Sequence, residues 1–481
     1  MKNMKQTAFI FQSILLIFLL TPAILFSQQL STPYVLSSNM VLQHGNHIPV
    51  WGKSRPHERI QVSFGKQRLQ TKADTEGKWH VEFSPMAVNK TPQTLTIKGK
   101  DSTIVYENIL VGDVWLCSGQ SNMEYTMRLN RKFAPPARGK DVAAQELEKP
   151  ANPMIRLFIA QRWNEPSAWE VADSNSLALF SAPGYFFGKA IQEKLDIPVG
   201  LIRAAVGGTR IEEWTPGEVY LQSPVFAEQM RSDGKVGGLE PGERYQHQIA
   251  PLLPFSIKGV IWYQGENNCG VGERQYAEKF EVMVDAWRKA FKLPDIPFYS
   301  VLLSPFSYSG GRGYKGPFTA EELPLFREQQ IRAKELVSNS DFIVVSDLTD
   351  NVQDIHPSYK WEVGARLARV ALAKEYGFAD IVWSGPRLAQ KEIKEGTIVL
   401  SFEHVGDGLK TNNRNRFLDW FEIAGEDGCF RPAIARIKDK DKVVVYHPEI
   451  KQPRQVRFGW HEVAKPNLVN SEDLPAVPFR E

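Results

Sequence analysis

The sequence predicts an α/β protein: a mainly parallel sheet covered by helices on both faces, with a β-rich region before it and another after it. Three observations carry that expectation. Between about residues 110 and 380, apolar strand-like runs alternate with amphipathic helical patterns, the order that builds parallel strand–helix–strand units. From 28 to 109, short alternating strands recur between turn residues, as in a small β-sandwich. From 381 to 481 the pattern returns to β. The chain has 481 residues, and a single core stops growing at about 250–300 residues. The expected division is therefore a leader at 1–27, a β-sandwich at 28–109, an α/β domain at 110–380 and a β-rich domain at 381–481.

Lys2 and Lys5 precede an apolar stretch over 8–20, Pro22 breaks it, and Ser27 is a small residue suited to cleavage. That is the pattern of a secretory signal peptide. An uncleaved anchor is the alternative, although the run falls short of the ~20 apolar residues that a span requires. A secreted or periplasmic protein with no integral membrane segment after signal removal is expected. The sandwich strands fall at 49–51, 59–64, 79–83 and 94–97, separated by Glu76-Gly77 and by Gly99-Lys100-Asp101. In the α/β part, strand-like runs cover 114–117, 199–202, 259–263, 298–303 and 342–346. The 259–263 run is apolar throughout, as for a strand buried on both faces. Tyr276, Phe280, Val284, Trp287 and Phe291 recur at helical spacing. Further helices are expected at 321–337 and at 360–376, the latter stopped by Gly377. Segment 128–152 looks like an insertion and 304–317 like a mobile loop; strands at 397–402 and 442–446 mark the last region.

Apolar residues make up 42% and charged residues 23%, with a net charge of +3. Such a balance gives no reason to expect nucleic acid or an anionic membrane as partner. Three cysteines (Cys117, Cys269 and Cys429) do not make a disulfide scaffold and match no zinc spacing. They are expected to be small buried hydrophobes. The nine histidines are scattered, so no metal site is expected.

Four segments carry chemistry. Ser121 follows Val114-Trp115-Leu116-Cys117 at a strand-to-helix corner. There a hydroxyl projects beyond the sheet and the next N–H groups face the same spot, which suits a nucleophile and an oxyanion. A serine in that place also serves as a plain helix cap. Gly207-Gly208 lies after the 199–202 strand, where glycine lets backbone approach a ligand; a simple tight turn is the alternative. Gln264, Asn267 and Asn268 follow the 259–263 strand, and amides donate N–H without adding charge. His356, in Asp354-Ile355-His356-Pro357, is the side chain suited to take a serine proton near neutral pH. A nearby carboxylate would orient it. His247 is the reserve candidate.

These segments resemble a known family. Gly119-Gln120-Ser121-Asn122-Met123-Glu124, the Gly207-Gly208-Thr209 block through Trp214, the Trp262-Tyr263-Gln264-Gly265-Glu266 block and Asp354 through Lys360 together resemble the sialate O-acetylesterases, SGNH/GDSL-like serine hydrolases. Asn39-Met40-Val41-Leu42-Gln43 and Leu474-Pro475-Ala476-Val477-Pro478-Phe479-Arg480 extend the likeness over nearly the whole mature chain. The resemblance implies an SGNH-type three-layer α/β/α hydrolase domain. It implies Ser121 as nucleophile, His356 as base and Asp354 as its orienting acid, with no cofactor. The implied oxyanion hole is Ser121 N–H, Gly208 N–H and a side-chain amide, Gln264 first, with Asn267 and Asn268 as alternates. Many SGNH hydrolases carry the acid three residues before the histidine, where this chain has Gln353; Asp350 and Asp347 are the other carboxylates in reach.

The expected activity is removal of O-acetyl groups from an O-acetylated sugar or glycan, with sialic acid as the leading substrate. Arg210, Arg203 and Arg128 stand near the motifs in sequence and offer a fork for its carboxylate. Trp214 and Glu266 are further substrate-binding candidates. An esterase of acetylated xylan or pectin would use the same machinery, and a carbohydrate-binding protein is the alternative of another class.

Overall fold

Six parallel strands form the centre of the computed structural model, which describes residues 29–128, 136–137, 142–149, 151–160, 166–310, 318–413 and 415–481. Their order across the sheet is Ser340–Ile343, Phe298–Val301, Gly259–Tyr263, Thr103–Gly119, Val199–Ala205 and Asn152–Ile159, with Glu170–Ala172 antiparallel at one edge. Strand side chains alternate between two apolar layers. Trp115, Cys117, Ile261 and Tyr263 face the layer under helices Ala182–Leu195 and Lys360–Glu375. Val114, Leu116, Val260 and Trp262 face the layer under Tyr276–Phe291 and Glu322–Leu336. The result is the expected three-layer α/β/α arrangement. Each large apolar side chain fully buried here contributes roughly 1.5–3 kcal/mol. Aromatic pairs lock the layers: Trp115 meets Phe187 edge-on at 4.9 Å, and Trp262 meets Trp287 at 5.9 Å.

The strand Thr103–Gly119 has 17 residues and serves two parts of the molecule. Its first half pairs antiparallel with Asn89–Lys98 in the N-terminal β region, and its second half lies between Val199–Ala205 and Gly259–Tyr263. The chain thus runs unbroken across the expected 109/110 boundary. Beyond the α/β part, Arg387–Lys394, Thr397–Glu403, Lys442–Tyr446 and Ile434–Asp439 form an antiparallel sheet packed on Phe421 and Phe458 of a second one.

Several local expectations differ from the structure. Helix Ala182–Leu195 lies outside the elements expected from the sequence, and it carries Pro183, Gly184 and Gly188, residue types that disfavour helix interiors. Pro183 occupies the first turn, where its missing N–H costs nothing. Gly188 and Gly364 are contact points: a Cβ would lie 2.6 Å from Leu201 Cδ1 at the first and 2.6 Å from Pro183 O at the second. The 298–303 strand stops at Val301, and the strand expected at 342–346 lies at Ser340–Ile343. Within the expected loop 304–317, Phe306 and Tyr308 are buried and Phe306 N–H donates to Glu462 O at 3.0 Å, so this stretch is packed; 311–317 lies outside the described residues. Cys117 and Cys269 are buried as expected, but Cys429 is exposed. The expected leader and most of the 128–141 part of the insertion lie outside the described residues. Among the described residues no helix is long and apolar enough to cross a membrane.

Candidate active site

Register brings the motifs together. Gly119, Ala205 and Tyr263 are partners across the three central strands. Because the strands are parallel and end level, the segments after them emerge at one carboxyl edge, where open α/β sheets bind ligands. Gly119 is required at its position: φ is +136°, and a Cβ would meet Tyr263 O at 2.1 Å. That close approach lets Gln120 N–H donate to Tyr263 O at 3.0 Å. Ser121 then opens the short helical turn Ser121–Glu124, whose first N–H groups have no acceptor within the helix.

His356 comes from the loop between Ser340–Ile343 and Lys360–Glu375. Its Nε2 lies 2.9 Å from Ser121 Oγ, across 235 residues of sequence. Burial pulls the imidazole pKa below its ordinary value, the Lys360 ammonium adds to that, and Asp354 opposes it. The histidine is therefore held toward the neutral form that accepts a proton. Asp354 Oδ1 accepts the His356 backbone N–H at 2.9 Å and lies 3.8 Å from Nδ1. The carboxylate shapes the turn and stands near the ring without a short bond to it. Asp347 pairs with Arg366 through both oxygens, at 2.7 and 2.6 Å, and Asp350 accepts from Tyr359 Oη at 2.7 Å.

The Gly-Gly turn abuts the serine: a Cβ on Gly207 would lie 3.4 Å from Ser121 Cβ. Gly207 N–H donates to Glu124 Oε2 at 2.7 Å, and Gly208 has φ of +76°. Among the described residues no acceptor takes the Gly208 N–H. Asn267 Nδ2 donates to Gly208 O, which leaves its second hydrogen at the rim of the same turn.

Gln264 is placed differently from the expectation. It is completely buried, and its Nε2 donates to Gln120 Oε1 at 3.1 Å, Thr209 O at 3.2 Å and Asn268 Oδ1 at 2.8 Å. Its amide is committed to the scaffold. Asn268 is likewise internal, accepting from Ile211 N–H at 3.0 Å and donating to Glu212 at 3.0 Å. Arg210 is 9% exposed and donates to Gly237 O at 2.7 Å. Trp214 is fully buried, bonded to Thr209 Oγ1 at 3.0 Å and packed on Trp262. Glu266 is buried beneath the serine turn, where its Oε1 accepts from Asn122 Nδ2. These three substrate-binding candidates are packing and bonding residues, because the strand-end turns fold them inward. Arg203 donates to Leu179 O at 3.0 Å, and His247 Nδ1 lies 2.8 Å from Glu243 O in its own turn.

Sequence reasoning passed over Gln120, Asn122 and Lys360. Gln120 Oε1 gathers Gln264 Nε2, Gly265 N–H at 3.2 Å and Asn267 N–H at 3.4 Å, tying the first motif to the third. All three residues stand inside the motif blocks, but nothing in a sequence separates a buried brace from a residue that touches substrate.

Comparison with known proteins gives the family. The sequence profile of a carbohydrate esterase family, sialic acid-specific acetylesterase, matches residues 111–373. That stretch spans more than half of the chain and contains Ser121 and His356. The chain belongs to this family. It is thereby a carboxylic ester hydrolase. A sialate O-acetylesterase of Homo sapiens is 27% identical over 390 residues, covering 73% of this chain and 72% of the relative. The sialate O-acetylesterase of Pongo abelii matches to the same extent. The crystal structure of a carbohydrate acetylesterase from Xanthomonas citri is similar at 33% identity and a TM-score of 0.81, covering 94% of this chain and 99% of that one.

Proposed function

We propose that this esterase removes O-acetyl groups from a sugar by way of an acetyl-serine intermediate, with Ser121 as nucleophile and His356 as general base. The observation that carries the reading is the 2.9 Å contact between Ser121 Oγ and His356 Nε2 at the carboxyl edge of the sheet. As Oγ bonds to the acetyl carbon, its proton passes to Nε2. The carbonyl oxygen becomes an oxyanion, held by the N–H groups of Ser121 and Gly208 and by Asn267 Nδ2 in place of Gln264. The bond from the acetyl carbon to the sugar oxygen breaks, and that oxygen takes the proton from His356. Water then gives a proton to His356 and attacks the acetyl-serine; acetate leaves and Ser121 regains its hydrogen. No cofactor enters these steps. Asp354 favours the imidazolium through its charge at 3.8 Å.

The leading substrate is O-acetylated sialic acid, as for the mammalian relatives by their names. One observation favours a second reading, an acetylated neutral polysaccharide. Arg210, one of the three arginines expected to offer a fork to a sialate carboxylate, is engaged with Gly237 O, and the Xanthomonas protein is described only as a carbohydrate acetylesterase. Turnover on O-acetyl sialic acid against acetyl-xylan separates the two. The amino-terminal pattern supports export to the periplasm or beyond.

The test of the reading is Ser121→Ala on an aryl acetate. Acetate release falls to background while the fold, followed by circular dichroism, is kept; retained turnover would refute the assignment.

A further inference from the structure

Directly behind the Ser121–His356 pair lies a second group of polar residues that the reaction does not use. Asn122, Glu266 and Lys360 come from three different motif blocks and are 0%, 3% and 0% exposed. Lys360 Nζ donates to Asn122 Oδ1 at 2.5 Å. The amide nitrogen of Asn122 donates to Glu266 Oε1 and to Ile355 O, the latter at 3.0 Å. A neutral amide is thus inserted between a cation and an anion. Its orientation is forced: turned over, it would present N–H to ammonium and oxygen to carboxylate.

The arrangement is costly. The ammonium is roofed by the rings of Tyr125 at 4.8 Å and Tyr263 at 5.3 Å, and burial lowers its pKa to about 7. Among the described residues Glu266 Oε2 has no hydrogen-bond partner, and burial raises the carboxyl pKa. Buried polar groups held in this way specify one geometry more than they add stability. The geometry they specify is local to the chemistry. Asn122 adjoins the nucleophile, and Ile355 adjoins the base.

We propose that Asn122 is a positioning residue, a clamp that holds the His356 loop against the Ser121 turn, and that Lys360 and Glu266 lock its amide in the working orientation. The proposal rests on the reading of Ser121 and His356 given above. Bond for bond, the clamp joins the serine turn to the residue before the histidine, so its loss lets Nε2 drift from Oγ. Lys360 has a second effect through its charge. Lys360, Asp354 and the Tyr125 ring face His356 from the helix, the loop and the serine turn, and Glu266 faces Lys360. Of these, Lys360 is the group that disfavours the imidazolium electrostatically.

The test compares Asn122→Ala, Lys360→Met and Ser121→Ala on an aryl acetate, with pH profiles and thermal unfolding. A misplacement of about 1 Å costs on the order of 10²-fold in rate, so Asn122→Ala is expected to lower kcat by about that factor with KM unchanged. Lys360→Met keeps an apolar stem of similar length and removes the charge. Its acid limb of kcat/KM moves to higher pH, because the base loses the neighbour that kept it neutral. A purely structural role would lower the melting temperature and leave that limb in place. Should Asn122→Ala not fold, the plateau kcat of Lys360→Met carries the test, because an amide freed from its lock misplaces the histidine in the same way. An unchanged plateau kcat in folded Asn122→Ala or in Lys360→Met overturns the clamp while leaving the dyad intact, and an unmoved limb in Lys360→Met overturns the charge effect. Activity in Ser121→Ala instead overturns the dyad, whatever the other two variants do.

Discussion

Gln264 and Gln120 are joined side chain to side chain, Nε2 to Oε1 at 3.1 Å. The amide expected at the oxyanion is therefore a brace for the residue before the nucleophile. Asn267 occupies the rim that Gln264 leaves, with Nδ2 on Gly208 O.

The two amides should consequently separate in their effects. Asn267→Ala is expected to lower kcat about 10²-fold, the usual effect of losing one oxyanion donor, with the melting temperature little changed. Gln264→Leu strips a buried partner from Thr209 O and the Tyr276 hydroxyl and should cost about 1–3 kcal/mol of stability. Steady-state kinetics and thermal unfolding of both variants check the assignment.

Asp354 should matter less than the acid of a tightly bonded triad. A Ser-His-Asp site with a short His–Asp bond loses on the order of 10⁴-fold when the carboxylate is made an amide. Here the carboxylate is 3.8 Å from Nδ1, and its short bond goes to a backbone N–H. Asp354→Asn keeps an acceptor for that N–H, so kcat should fall by far less than ~10⁴-fold. A kcat comparison with His356→Ala decides it.

The pH profile has a defined sign. The base works in its neutral form, so kcat/KM falls as pH drops through the pKa of His356 in the free enzyme. Burial and Lys360 lower that pKa from an ordinary 6.5. The acid limb should therefore have its midpoint below pH 6.5. A midpoint above that value in the kcat/KM profile would mean that Asp354 outweighs burial.

The parts legible in the sequence were those set by periodicity and by turn chemistry. Tyr276–Phe291 was readable because five large apolar residues repeat on one face of a charged helix. The site was readable because the apolar strands end level at Gly119, Ala205 and Tyr263 and run into glycine-containing turns. Side-chain direction beyond a strand end was not legible. Gln264 and Asn267 are three residues apart and chemically alike, yet one is fully buried and the other borders the Gly208 turn. Trp214 and Arg210 look like ligand contacts by residue type, but a short 3₁₀ turn at Ile211–Trp214 folds them inward. Helix Ala182–Leu195 is not legible because Gly184 meets Cys117, Gly188 meets Leu201 and Gly364 of the 360–375 helix meets Pro183, contacts that no local pattern announces.

The most direct measurement of the central claim is to quench a reaction with an aryl acetate in its first turnover and map the protein's peptides by mass. An acetyl group on Ser121, absent in Ser121→Ala and cleared as acetate appears, is the predicted result. Turnover with no adduct on Ser121, or an adduct formed at another residue at the rate of catalysis, would contradict it.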